Sequence, residues 1–226
     1  MLKIIYRGQD LIKLKKEVTK AFDFLDSFFV VKVTDVVVRI YVNRTDFNKK
    51  LKRETPDWLV ANAFDNKEID ILSPLALKNE SSHNRNEFLP ILKHEFTHLF
   101  AYTLAKGGAI PMWLNEGLAS YIAKQHKNDK WPIYIEENFC RKLSTQKDWD
   151  ENVNYSAYAI ASLFVCFLIK KYSFGKIKEL IVSLDKNYYY PDFKKIFFKV
   201  YKKDLNEVET LFIRGINKQN HEGSRK

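Results

Sequence analysis

Cysteine is scarce, with only Cys140 and Cys166 in 226 residues. Two thiols cannot build a disulfide framework, and neither has a second cysteine at ligand spacing, so both read as core or surface thiols. Any metal binding then falls to histidine and carboxylate. Long apolar runs are missing too: the longest, near Ala157 to Ile169, falls short of the ~20 residues a membrane span needs, and no membrane partner is expected. Met1-Leu2-Lys3-Ile4-Ile5-Tyr6-Arg7 lacks the apolar stretch and small-residue cleavage site of a secretory leader, so a cytoplasmic location is expected. Acidic residues are outnumbered, 28 Asp and Glu against 38 Lys and Arg, for a net charge of +10. The excess lies in runs such as Asn48-Lys49-Lys50-Leu51-Lys52-Arg53, Phe193-Lys194-Lys195 and Tyr201-Lys202-Lys203. Solvated helix faces account for them; a nucleic-acid footprint is the rival, and nucleic acid is not the expected partner.

What is present is a globular composition, 46% hydrophobic, in a chain long enough for one domain or for two lobes sharing a cleft. Its most informative stretch is Lys93-His94-Glu95-Phe96-Thr97-His98-Leu99. On an α-helix His94 and His98 lie one turn apart on one face and can hold a single metal ion, with Glu95 leaning to the side where a reacting water would sit. Catalytic zinc needs three protein ligands and an open position, so a further carboxylate or imidazole must come from elsewhere. Beyond the helix exit at Lys106-Gly107-Gly108 the chain reads Pro111-Met112-Trp113-Leu114-Asn115-Glu116-Gly117-Leu118-Ala119. Glu116 lies 18 residues past His98, room for a turn and a second helix folded back on the first.

His94-Glu95-x-x-His98 followed by Trp113-Leu114-Asn115-Glu116-Gly117-Leu118-Ala119 resembles the gluzincin metallopeptidases, and most closely the peptidase MA-like domains. The resemblance implies one zinc ion per chain, held by His94, His98 and Glu116, with Glu95 as general base in amide hydrolysis. It further implies a tyrosine at Tyr158, from the spacing Tyr158-x-x-Ala161-Ser162 through Leu168-Ile169-x-x-Tyr172, donating to the oxyanion of a tetrahedral intermediate. Tyr155 is the fallback, and a packing role for Tyr158 stays open. In gluzincins the edge strand before the zinc helix binds peptide backbone, which implies a peptide or protein substrate along Glu68 to Leu72. Asn62-Ala63-Phe64-Asp65-Asn66 is faintly similar to a segment that grips a free amine in aminopeptidase relatives; Asp65 reads first as a turn residue. Related patterns place an aspartate four residues past the ligand glutamate, where this chain has Ser120, which puts robust catalysis in question. The leading function is therefore a zinc endopeptidase. Alternatives are an aminopeptidase of the same fold, or a weak or inactive gluzincin-fold binding protein, basic and nucleic-acid associated.

The expected fold is α+β: an N-terminal lobe over residues 1–106 with a small antiparallel-edged sheet and the zinc helix, a helical lobe over 107–216, and an active-site cleft between. Apolar spacing predicts an amphipathic helix from Gln9 to Ser27, a strand over Val36 to Val42 and a short basic helix around Asp46 to Lys52. Trp58–Phe64 and Glu68–Leu72 form a hairpin, the second strand at the sheet edge with Glu68, Asp70 and Leu72 partly wet. Ser73 to Asn86 reads as a polar loop or lid carrying a surface His83, and the zinc helix starts near Pro90. Gln125 to Asp150, with His126, is irregular. Helices follow from Asn154 to Lys171, Lys176 to Ser183, Pro191 to Tyr201 and Leu205 to Ile216, and residues 217–226 form a disordered tail.

Overall fold

The computed structural model describes residues 1–8, 10–64, 67–125, 135–152 and 156–223. The fold is mixed α+β, and the chain divides into two compact units, Met1–Thr103 and Leu104–Lys226.

The first unit is built on a four-stranded mixed sheet in the order β1-β2-β4-β3. Strand β1 (Leu2–Tyr6) pairs in parallel with β2 (Val36–Tyr41), β2 in parallel with β4 (Glu68–Leu72), and β4 antiparallel with β3 (Ala61–Phe64). The parallel β1–β2 pair needs a crossover, supplied by helix α1 (Leu11–Phe29). Buried Leu14, Val18, Ala21, Leu25 and Phe29 recur every three or four residues and give α1 one apolar face. On β2 the alternation is strict, with Val36, Val38 and Ile40 buried and the residues between them half-buried. Helix α2 (Arg44–Leu51) starts at Asn43, whose side chain accepts the Asp46 N–H. Arg44 then ties down the segment that follows. Its guanidinium donates to Thr55 Oγ1 at 2.7 Å and to the carbonyls of Pro56, Asp57 and Leu59 at 3.0–3.2 Å.

Several expectations change here. Strand β4 is interior, flanked by β2 and β3, so Glu68 to Leu72 is no edge and its backbone groups are already committed to neighbours on both sides. Among the described residues the outer strands of the sheet are β1 and β3. Asp70 and Leu72, expected to be partly wet, are fully buried. Asp70 is accommodated because the Tyr41 hydroxyl donates to its Oδ1 at 2.8 Å and Arg39 lies 3.8 Å away. Strand β1 is an element that the sequence reading does not predict. Nor is Ser73 to Asn86 a loop: helix α3 (Pro74–Glu80) is capped by Ser73, whose hydroxyl accepts the Ala76 N–H at 3.2 Å, with Pro74 at its first position. A 3₁₀ turn at Arg85–Glu87 then leads into helix α4 (Phe88–Ala105).

Among its described residues the second unit has helices and no strand. They are α5 (Met112–Ile122), α6 (Phe139–Lys142), α7 (Gln146–Asn152), α8 (Ala157–Tyr172), α9 (Phe174–Val182), α10 (Tyr190–Tyr201) and α11 (Leu205–Gly223). The apolar α8 is a core helix, with Ile160, Ala161, Phe164, Val165 and Leu168 all buried. Phe164 centres an aromatic cluster, 5.0 Å from Phe139 and 5.1 Å from Phe212. Two short helices, α6 and α7, lie in the stretch expected to be irregular, and α11 continues to Gly223 instead of stopping at Ile216. No single helix among the described residues is long and apolar enough to cross a membrane.

Candidate metal centre

Helix α4 is held by apolar contacts on most of its circumference. Leu92, Phe96, Leu99 and Phe100 are fully buried, and within the first unit Phe22 of α1 meets Phe96 and Phe100 at ring separations of 5.5 and 5.3 Å. The 3₁₀ turn that leads into it carries a capping box in which Asn84 and Glu87 satisfy each other's main chain, and Pro90 falls in the first turn of α4, where its missing N–H costs nothing. Buried Thr97 turns its hydroxyl onto the Lys93 carbonyl at 2.7 Å, so its polar group is satisfied within the helix. With the helix fixed, the i, i+4 spacing sets the imidazoles side by side, ring centroids 4.7 Å apart and nearly perpendicular at 81°. His98 is buried, and His94 and Glu95 are half-buried.

Glu116 sits in the second turn of α5 and is buried. That helix has no side-chain cap; the Met112 and Trp113 N–H groups instead donate to the Ser144 and Leu143 carbonyls at 2.8 and 2.9 Å. Trp113 is fully buried, 5.2 Å from Phe164 and 6.0 Å from Phe193, and anchors the turn before the glutamate. Gly117 accounts for the residue after it. A Cβ there would lie 2.4 Å from the Ala161 carbonyl oxygen of α8, so only glycine allows the two helices to cross this closely. In the sequence Gly117 and Ala161 belong to two separate patterns, and nothing local to either announces that they meet.

The consequence is convergence. The ligand atoms of His94, His98 and Glu116 all lie within 4.8 Å of one another. Around a tetrahedral ion with bonds of about 2.1 Å, ligand atoms sit roughly 3.4 Å apart, so small side-chain rotations would draw these three onto a zinc-like ion. Two imidazoles and a carboxylate are the donor set that zinc accepts.

No family model and no curated protein matches this chain.

Of the remaining candidates, Tyr158 stands in the first turn of α8, 40% exposed, with its ring edge-on to Trp149 at 4.9 Å. Ser120 is buried on α5, one turn past Glu116. Asp65, Tyr155 and His126 lie outside the described residues. His83, expected at the surface, is half-buried: Nδ1 lies 2.6 Å from Glu87 Oε2 and Nε2 lies 3.1 Å from the Trp58 carbonyl oxygen. Both cysteines are buried and unpaired with each other, and burial pushes the Cys140 thiol well above its ordinary range, which makes it a poor ligand.

Proposed function

We propose that the chain is a zinc-dependent metallopeptidase of the gluzincin kind that cleaves peptide bonds within a chain. The observation that carries this is the meeting of His94, His98 and Glu116 within 4.8 Å, from two separate helices, beside Glu95. A chance histidine pair on a helix has no reason to be met by a buried carboxylate.

A zinc ion bound by these three would supply the Lewis acidity that makes water a nucleophile near neutral pH. Glu95 takes the proton from the attacking water and passes it to the departing amine nitrogen, serving as base and then as acid. Tyr158 donates a hydrogen bond to the carbonyl oxygen as negative charge grows on it, an interaction worth about 3–4 kcal/mol where it is a principal donor. Ser120 is the residue one turn beyond the ligand glutamate, and its hydroxyl supplies a weaker brace than a carboxylate would.

Metal analysis of the purified chain tests the reading. Zinc is expected near one equivalent, and Glu116→Ala is expected to lower it severalfold; unchanged zinc in that variant would remove the ligand assignment. Peptides blocked at both ends should be cut by the parent chain and left intact by Glu95→Gln. Cleavage confined to peptides with a free amine would turn the assignment to an aminopeptidase.

A further inference from the structure

A cavity of about 450 Å³ opens in the first unit, and none of His94, Glu95, His98 or Glu116 lines it. Tyr6 ends β1, Val42 follows β2 and Ser73 follows β4, and all three line it, so the cavity lies outside the carboxyl ends of the three parallel strands. Open sheets with parallel strands present their loops at that end, and ligands bind there because those loops can vary without disturbing the sheet.

The lining is mixed in a specific way. Leu14, Leu75, Phe88 and Leu89 give it an apolar part. Lys13 and Arg85 bring two cations, and Asp10 and Glu17 bring two carboxylates. Among the described residues the side chains of Lys13, Glu17 and Arg85 make no hydrogen bond or ion pair. The Lys13 and Glu17 side chains are one helical turn apart on α1, the spacing at which such pairs usually join, yet they stay apart. Gly8 leaves room for the Tyr6 ring, whose hydroxyl would lie 2.2 Å from a Cβ there. The Tyr6 phenol is held above its usual range by burial and by the nearby Asp10, so it remains a donor.

We infer that this cavity binds a small zwitterion with an apolar side chain, a free amino acid of the leucine type, its carboxylate on Lys13 and Arg85 and its ammonium on Asp10 and Glu17. A purely anionic ligand would meet two carboxylates, and a purely cationic one would meet two ammonium or guanidinium groups. A molecule carrying both signs can pair with all four, and the apolar lining takes a side chain of leucine size. The inference does not rest on the peptidase reading.

Calorimetric titration of the full chain with leucine, N-acetylleucine and leucinamide tests it. Leucine should bind saturably, and each blocked form should bind at least about tenfold more weakly, because each loses one charge-assisted contact. Lys13→Gln and Arg85→Gln should weaken leucine and leave leucinamide unchanged; Asp10→Asn and Glu17→Gln should weaken leucine and leave N-acetylleucine unchanged. These substitutions alter exposed or half-exposed side chains, and the comparison of the three ligands on the parent chain needs no variant at all. No saturable heat at millimolar leucine, or equal affinity for all three ligands, overturns the inference. Loss of leucine binding in Glu116→Ala would assign leucine to the metal residues and overturn it as well. Retained binding in that variant, with zinc lost, supports it whatever becomes of the peptidase.

Discussion

Glu68 and Asp70 stand two positions apart on β4 and titrate in opposite senses. The bidentate hydrogen bonds from Arg39, both 2.6 Å, pull the Glu68 carboxyl down to about 2, with Lys50 adding to the pull. A lowered acid stabilises the fold above its unfolded value and loses that contribution as pH falls through its folded one. Asp70 is raised, first by burial, with the Tyr41 bond and the nearby cations opposing the rise. A raised acid holds its proton in the folded chain and costs stability as pH climbs past the ordinary carboxylate range. Urea midpoints measured from pH 7 down to about 2 should therefore show the acid limb flattened in Glu68→Gln. In Asp70→Asn the same series should show a smaller loss between pH 4 and 7 than in the parent chain. Tyr41→Phe removes the one hydroxyl donor to a buried carboxyl and should cost about 1–3 kcal/mol, read as a lower urea midpoint at pH 7.

At the level of elements, the closest constraint is the crossing of α5 and α8 at Gly117. Gly117→Ala must push the Ala161 backbone away, at a cost of about 1–3 kcal/mol, and the shift falls on the residue next to Glu116, so zinc affinity should drop as well. Gly175→Ala in α9 is the control: its nearest neighbour would be the Ser173 hydroxyl at 3.5 Å, and the change should be neutral or stabilising by up to about 1 kcal/mol. Thermal melts and metal analysis of the two variants check both. Should the proposed peptidase take its substrate by strand pairing, the interior position of β4 leaves β3, the outer strand beside it, to receive the peptide. If an extended peptide pairs there, N-methylation of alternate backbone amides should lower turnover about tenfold or more while leaving side-chain preference unchanged. What local pattern announces, the sequence carries plainly: α1 by its apolar stripe, α4 by its histidine spacing, the antiparallel pair β3–β4 by two short runs of strand-forming residues. Helix α3 is hidden in the sequence because its polar composition outweighs the Ser73-Pro74 start signal. The place of β4 in the sheet is hidden because strand order depends on partners far along the chain, and Asp70 looks like a wet residue until Tyr41 and Arg39 are beside it.

Across the whole molecule, the three ligand candidates were legible because coordination chemistry restricts both residue type and spacing. The cavity at the strand ends was not, since its lining comes from four separate segments and none belongs to a recurring pattern. Metal binding should also register globally. With zinc at about a hundredfold over its dissociation constant, the folded chain gains about 2.7 kcal/mol, so a chelator should lower the melting temperature of the parent and leave Glu116→Ala nearly unmoved.

Arg44 joins residues that have no ladder of their own to the start of an eight-residue helix. Thr55 to Leu59 thus hang chiefly on α2, with a further tie where His83 Nε2 lies 3.1 Å from the Trp58 carbonyl oxygen, and Trp58 is 62% exposed in their midst. Fraying of that short helix would loosen the indole while the sheet stays intact, so in a chain labelled with 5-fluorotryptophan the Trp58 fluorine resonance, assigned by its loss in Trp58→Phe, should sharpen at a lower temperature than the global melt.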